Sequence, residues 1–289
     1  MTDLMDRPFL YQEADDDQPD ETDRGLVYDL GTLDRRRVLQ LLGFGGISAG
    51  MFVIAGCAPG ASASPSASAS AAASSAAGAS CAVIPEETAG PFPGDGSNGP
   101  DVLDQSGIVR QDIRSSFGSS TTTAEGVPLK IQLTIQDAAD CVPIAGAAVY
   151  LWHCDRDGNY SLYSQGVTDE NYLRGVQEAD ANGVVTFQSI FPACYPGRWP
   201  HVHFEVYPSL EMATNENDKI ATSQIALPKD ACDGVYATDG YGQSVQTLSQ
   251  LSLTTDMVFR DDGAAHQLGT MSGSVADGLQ VALVVPVGA

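Results

Sequence analysis

Two histidines with one residue between them, His201 and His203, place the strongest constraint on how this chain folds. The segment 201–207 is rich in Val, Phe and Tyr and alternates in polarity, which predicts a β-strand. Because residues i and i+2 of a strand point to the same face, both imidazoles are expected to converge on one point, as two ligands of one metal ion must. The remaining two of the four histidines, His153 and His266, are not expected to be ligands.

Strand-like segments with turn signals between them recur between residues 129 and 285. They are predicted at residues 129–137, 146–154, 183–191, 201–207, 222–227 and 279–285. Many short strands with few short helices predict an all-β fold, an antiparallel β-sandwich. Pro286 is expected to end the last strand. One short helix is predicted around residues 230–237, and residues 244–252 are compatible with either a helix or a loop.

The composition divides the chain into four parts. Residues 1–33 are acidic and mostly aperiodic, which predicts a disordered N-terminal region. Residues 58–80 are almost entirely Ala, Ser, Gly and Pro, which is typical of a flexible linker. Residues 81–289 then form one domain, long enough to bury a sizeable core.

Residues 34–57, between these two regions, resemble an export signal. Three arginines at 35–37 precede a weakly apolar, glycine-containing run, as in a twin-arginine signal. The run ends in Ile-Ala-Gly-Cys, which resembles a bacterial lipobox and makes Cys57 the expected lipidated residue. This predicts an exported lipoprotein attached to the extracellular side of the membrane. A short membrane-spanning helix is the alternative, although the stretch is short and rich in glycine for that role.

The chain carries a formal net charge of −23. Such an acidic surface argues against binding nucleic acid, which requires basic patches. It also argues against attraction of polyanionic substrates, and it is compatible with a solvated surface that aids solubility.

Five cysteines follow Cys57, and outside the cytoplasm disulfides persist. Cys81 and Cys141 lie in polar segments beside predicted strand ends and are candidates for a bridge, although the pairing cannot be read from the sequence. Cys154 and Cys194 flank two tyrosine-containing segments. They could form a disulfide there or remain a pair of buried thiols. The fifth is Cys232. No two cysteines are spaced as Cys-x-x-Cys, so a structural zinc site is not expected.

Two tyrosines are candidates to complete a metal site with the histidine pair. Tyr195 precedes His201 by six residues, across a Pro-Gly turn. Tyr160 follows a predicted strand on a glycine-containing loop, where functional residues tend to lie. Two phenolates and two imidazoles form a hard, anionic ligand set that favours Fe(III) over zinc or copper(I). Ordinary packing at strand edges is the alternative for each tyrosine taken alone.

Four motifs, in order along the chain, resemble the intradiol ring-cleavage dioxygenases, the non-haem Fe(III) family of the catechol and protocatechuate dioxygenases. They are Pro-Glu-Glu-Thr-Ala-Gly-Pro at 85–91, the segment 152–160, the segment 195–203, and Thr-Ser-Gln at 222–224. Together with residues 171–183, the likeness covers most of 81–240. The interval between Tyr195 and His201 is shorter than in the dedicated catechol and protocatechuate enzymes, which leaves the substrate open.

The resemblance implies a role for each matching residue. Tyr160 and His201 would be equatorial iron ligands, and Tyr195 and His203 would be axial ligands. Arg198 would face negative charge that develops on the bound ring, and Gln224 would assist beside it. The implied reaction uses O2 to cleave a catechol-type ring between its two hydroxyls and gives a cis,cis-muconate-type diacid. A homodimer is also compatible with the family.

Two other functions compete with this interpretation. One is a non-catalytic, lipid-anchored β-sandwich that binds small aromatics or cell-wall material. The other is a copper or zinc enzyme that uses the His-x-His pair without the tyrosines. The sequence does not identify the catechol, and residues 241–289 contain no pattern that indicates chemistry.

Overall fold

The computed structural model describes residues 81–288. The predictions for residues 1–33, 34–57 and 58–80, including Cys57, lie outside the described residues. The strands, in chain order, are β1 (Pro128–Asp137), β2 (Ala148–Trp152), β3 (Arg174–Glu178), β4 (Val184–Ile190), β5 (His201–Tyr207), β6 (Ala221–Ala226), β7 (Thr270–Ser274) and β8 (Gly278–Val287).

These strands form two four-stranded sheets. The first has the order β4-β1-β8-β7, and the second has the order β3-β2-β5-β6. Every neighbouring pair is antiparallel except β1 and β8, which run parallel. The predicted all-β sandwich is therefore confirmed, with one parallel pairing that the sequence pattern did not indicate.

The core lies between the sheets and follows from alternation along the strands. In β1, every second residue from Leu129 to Ile135 is buried, so one face packs inward and the other is more exposed. In β5, Val202, Phe204 and Val206 belong to the same central cluster. The alternate β5 residues, which include both histidines, therefore lie on the outer face of the second sheet.

That outer face is also buried, because loops cover it. All seven residues of β5 and all five of β2 are buried. Tyr150, Trp152 and Tyr160 form a second apolar cluster with loop residues such as Val102 and Leu103. A sheet covered on both sides is therefore expected to hold a dry, protein-lined site on its outer face.

Two strands and one strand end differ from the sequence prediction. β3 contains Arg and Gly, and β7 is polar and mostly exposed, so neither shows apolar alternation. The prediction that Pro286 ends β8 is wrong, because Pro286 pairs with Gln136 of β1 within the strand. β7 pairs only with residues 278–282 of β8, so no β7 residue lies opposite Pro286 to accept the N–H that proline lacks.

Two short α-helices follow β6. α1 (Lys229–Tyr236) confirms the predicted helix, and α2 (Gly242–Leu248) shows that the first part of the uncertain segment is helical. No helix within residues 81–288 is both long and apolar enough to cross a membrane.

The cysteines separate into one bridge and three thiols. Cys81 and Cys141 form a disulfide across 60 residues of sequence, as their positions suggested. Cys154, Cys194 and Cys232 are unpaired and buried. Cys154 and Cys194 are therefore two buried thiols and do not form the disulfide that was the alternative.

Candidate metal centre

The four side chains predicted as metal ligands meet on the outer face of the second sheet. The hydroxyl oxygens of Tyr160 and Tyr195 are 3.2 Å apart, and the Tyr195 oxygen is 3.1 Å from His201 Nε2. His201 Nε2 is in turn 3.0 Å from His203 Nε2. The four potential donor atoms thus form a row in which each lies 3.0–3.2 Å from the next.

A backbone hydrogen bond fixes the tautomer of His201. Its Nδ1 donates to the carbonyl oxygen of Trp199 at 2.6 Å, because a carbonyl can only accept. The lone pair of His201 is therefore on Nε2, the atom that faces the other donors. This is the arrangement by which ligating histidines are usually oriented.

His203 is held in a different way. Its Nδ1 is buried and has no hydrogen-bond partner. Its ring instead stacks on the indole of Trp152, which is its cross-strand neighbour on β2. Orientation of this imidazole therefore depends on aromatic packing rather than on an acceptor.

A tight loop delivers Tyr160 to the site. Asp155 Oδ1 accepts hydrogen bonds from the backbone N–H groups of Asp157 and Asn159 at 2.9 and 2.8 Å. Gly158 has a φ of +91°, a left-handed conformation that glycine adopts without a steric penalty. After this loop, the Tyr160 N–H donates to Ser164 Oγ at 2.9 Å, which fixes the backbone beneath the phenol.

A four-residue turn places Tyr195 and Arg198 beside each other. The Arg198 N–H donates to the Tyr195 carbonyl at 3.3 Å, and Gly197 between them has a φ of +84°. Proline at the second position and a positive-φ glycine at the third are typical of a type II turn. The sequence Tyr-Pro-Gly-Arg therefore folds locally so that a phenol and a guanidinium both reach the start of β5.

Burial controls the ionisation of the donor atoms. Burial, reinforced by the Arg198 cation, holds the pKa values of His201 and His203 well below the usual range, so both imidazoles are neutral at pH 7. Neutral imidazole is the form that binds metals. Burial also raises the pKa of Tyr160 well above its usual value, so its phenolate needs a strong cation beside it.

This donor set fits a metal ion. Metal–nitrogen and metal–oxygen bonds of about 2 Å, at right to tetrahedral angles, separate neighbouring donors by about 3 Å, close to the separations in this cluster. With a cation between them, both Nε2 atoms would direct a lone pair at the metal ion. Within residues 81–288, no group of three or more His, Cys, Asp or Glu side chains is arranged to hold a metal. A site here would therefore need the tyrosines.

Arg198 and Gln224, the two other candidate site residues, are joined by a hydrogen bond. Arg198 is buried, and its Nη2 donates to Gln224 Oε1 at 2.5 Å. Gln224 pairs with His203 across β5 and β6, and its Nε2 donates to the carbonyl of Thr88 at 2.9 Å. The amide thus links the guanidinium to the segment that covers the site.

The segment at 85–91 crosses the edge of the second sheet and covers His203. The Glu87 N–H donates to the carbonyl of Thr222 on β6 at 2.8 Å. A Cβ atom at Gly90, which has a φ of +73°, would lie 3.4 Å from Cε1 of the His203 ring. A glycine at this position therefore keeps the covering backbone close to the imidazole.

Sequence patterns did not indicate the residues that support the donors. Nothing in the residues around Trp152 indicates that its indole stacks on His203. Asp256 is fully buried and binds Arg198, yet it lies in a region with no recognisable pattern. His153 forms no hydrogen bond to the four donors, because its ring atoms bond the Cys154 carbonyl and Ser189 Oγ. His266 is exposed.

Comparison with known proteins relates this chain to dioxygenases. Residues 98–206 match the family model described as Dioxygenase, and this range contains all four donors and Arg198. A segment of 53 residues is 42% identical to chlorocatechol 1,2-dioxygenase of Rhodococcus opacus, which covers 18% of this chain and 21% of that protein. The chain therefore matches about a fifth of the length of this curated relative.

The fold is shared with solved dioxygenases. An intradiol ring-cleavage dioxygenase from Tetranychus urticae superposes with a TM-score of 0.58 at 24% identity, over 72% of this chain and 95% of that chain. A second dioxygenase structure gives a TM-score of 0.57 at 23% identity, again over 72% and 95%.

The β-sandwich therefore has the fold of dioxygenases of known structure. The chain resembles dioxygenases in its fold and, over residues 98–206, in its sequence.

Proposed function

We propose that this protein is a non-haem Fe(III) dioxygenase that cleaves catechol-type rings between their two hydroxyl groups. The observation that carries the proposal is the meeting of two phenol oxygens with two neutral imidazole nitrogens at separations of 3.0–3.2 Å. This hard, partly anionic set suits a trivalent ion. Tyr160, Tyr195, His201 and His203 would hold the iron.

Iron bound there would act as a Lewis acid and template that binds both catechol oxygens and makes the ring reactive towards O2. The chain would contribute a base as well. Tyr195 is only partly buried, whereas Tyr160 is buried, so Tyr195 is the more exposed residue of the two. In the proposed reaction, Tyr195 would be a phenolate while it holds the iron, and it would accept a proton from a catechol hydroxyl as the substrate binds.

Arg198 would stabilise negative charge on the bound ring. Its guanidinium is buried and is held between Gln224 and Asp256, so its direction is set before substrate arrives. A preorganised cation in a water-poor site stabilises developing charge more than the same cation in water. Gln224 would act through Arg198, because its amide oxygen accepts the guanidinium hydrogen bond.

Isotope incorporation tests the reaction directly. One molecule of catechol and one molecule of O2 together contain every atom of cis,cis-muconic acid, so no external reductant is required. The full-length, iron-loaded protein with ¹⁸O2 and catechol is expected to release a diacid that gains both labelled atoms. A product with an intact ring, or a ring opened outside the two hydroxyl-bearing carbons, would rule out this activity.

The convergence of all four donors favours catalysis over the two competing functions. A non-catalytic binding module has no need for two buried imidazoles and two phenols at one point, since burying unpaired polar groups is costly. A copper or zinc site built on His201 and His203 alone would not depend on the tyrosines. Substitution of the tyrosines therefore separates that alternative from the iron site.

Export and membrane attachment through Cys57 remain part of the proposal, supported by the arginine run and the Ile-Ala-Gly-Cys sequence. Full-length protein is expected to partition into a detergent phase, and Cys57→Ser is expected to move it to the aqueous phase.

The proposal specifies the substrate only as a catechol. A homodimer stays a prediction, which light scattering on the Cys57→Ser protein would test.

A further inference from the structure

Asp256 binds the proposed site from a part of the chain beyond the family match. Its side chain is fully buried, and its Oδ2 accepts hydrogen bonds from Arg198 Nε at 3.1 Å and the Trp199 N–H at 2.6 Å. Its Oδ1 accepts from the N–H groups of Val258 and Phe259 at 2.8 and 2.9 Å. All four contacts are donors, which an ionised carboxylate accepts without a proton of its own.

The carboxylate and an amide hold Arg198 from two directions. Asp256 accepts at Nε, while Gln224 accepts at Nη2. Gln224 is fixed in turn by its register opposite His203 and by its bond to the Thr88 carbonyl. Because a guanidinium is planar and rigid, two acceptors on different atoms determine the orientation of its plane.

The same carboxylate also fixes the approach to β5. Trp199 donates its N–H to Asp256, and its carbonyl accepts the hydrogen bond from His201 Nδ1. The guanidinium, the carboxylate and the start of β5 are therefore held in one relative position. Stability alone is a weak reason for such a pair, because buried ion pairs cost desolvation and are often replaceable by apolar groups.

We propose that Asp256 is a positioning residue, which fixes the Arg198 guanidinium in the direction where it meets the anionic ring of a bound catechol. This inference rests on the proposed function. It assigns a role to the segment 241–289, in which the sequence alone indicated none.

The test is the affinity of the iron-loaded, full-length protein for catechol without oxygen, measured from the change in visible absorption. Asp256→Asn is expected to raise the Kd about tenfold or more, as loss of a charge-assisted hydrogen bond would. Asp95→Asn is the matched control, because Asp95 is also buried and pairs with a cation, Lys219, away from Arg198. It is expected to change the Kd by less than about twofold.

A double variant separates positioning from general damage to the structure. In the Arg198→Gln background, adding Asp256→Asn is expected to change the catechol Kd by less than about twofold, because the group through which Asp256 acts is gone. This background also serves if Asp256→Asn alone fails to fold, since it leaves no unpaired buried guanidinium. A further tenfold loss in the Arg198→Gln background would overturn the inference.

The outcomes distinguish the two proposals. Wild-type protein that takes up no iron and shows no tyrosinate-to-iron absorption would overturn the proposed function and this inference with it. Coloured wild-type protein, with Asp256→Asn binding catechol as tightly as Asp95→Asn, would overturn the inference alone.

Discussion

The indole of Trp152 stacks on the imidazole of His203, with ring centroids 4.9 Å apart and ring planes 6° from parallel. The two residues face each other across β2 and β5. Since His203 Nδ1 has no hydrogen-bond partner, contacts with other rings set the angle of the imidazole, and this stack is the nearly parallel one. A histidine ligand of this kind is expected to be sensitive to its aromatic neighbour.

Replacement of Trp152 is therefore expected to weaken metal binding. Trp152→Leu should lower the affinity for iron about tenfold or more, the usual effect of removing a group that orients a ligand. Competition with a chelator measures this affinity. Phe187→Leu, a substitution in the buried core on β4, is the control for lost packing. Equal iron affinity in the two variants would mean that the stack does not orient His203.

The two tyrosines are expected to be indispensable for the colour of the iron-loaded protein. Tyr160→Phe and Tyr195→Phe each remove one phenol oxygen while keeping the ring, so each should weaken or abolish the tyrosinate-to-iron absorption and the ring-cleaving activity. Tyr236→Phe, which loses only a hydrogen bond to the Pro192 carbonyl, should keep both. Unchanged activity in the two site variants would instead support a metal site built on the histidines.

Glu205 is expected to make stability depend on pH. Burial raises the pKa of this carboxyl from 4.5 to about 7, against the opposing effect of the Lys219 cation. The folded protein therefore holds the proton more tightly than the unfolded chain, so the free energy of unfolding falls as the pH rises from about 4.5 to about 7.

Denaturant unfolding at pH 4 and pH 8 checks this prediction. The difference in unfolding free energy between wild type and Glu205→Gln should change by about 3 kcal/mol across that range, with wild type relatively more stable at low pH. Parallel pH profiles for the two proteins would show that Glu205 does not titrate abnormally.

The disulfide between Cys81 and Cys141 is expected to stabilise the domain. It joins residues 60 apart in sequence, and closing a loop of that length restricts the unfolded chain by about 4 kcal/mol in the loop-entropy model. The double variant Cys81→Ser/Cys141→Ser should lose a comparable amount of unfolding free energy. An unchanged denaturation midpoint would contradict this expectation.

The sequence predicted the elements in which local pattern and final environment agree. β5 alternates apolar residues, which pack into the core, with residues such as His201 and His203 on the opposite face. Its bounds and the common face of the two histidines are therefore as predicted. β3 could not be found in this way, because a strand of five residues that contains a polar residue gives no periodic signal. Arg174 in this strand is buried, and its guanidinium donates hydrogen bonds to the carbonyl oxygens of Phe92 and Pro93.

Contacts distant in sequence set the remainder of the site. Asp256 reaches Arg198 across 58 positions, and the Thr88 carbonyl reaches Gln224 across 136. Neither contact follows from the residues around it, since an isolated aspartate in a loop is most often solvated. A sequence motif can therefore indicate candidate ligands, whereas the groups that orient them depend on the complete fold.

The visible absorption spectrum of the full-length, iron-loaded protein, before and after catechol is added without oxygen, tests the central claim most directly. The proposed site predicts a tyrosinate-to-iron charge-transfer band that shifts when catechol binds. Protein that stays colourless after iron is supplied would contradict the site formed by two tyrosines and two histidines.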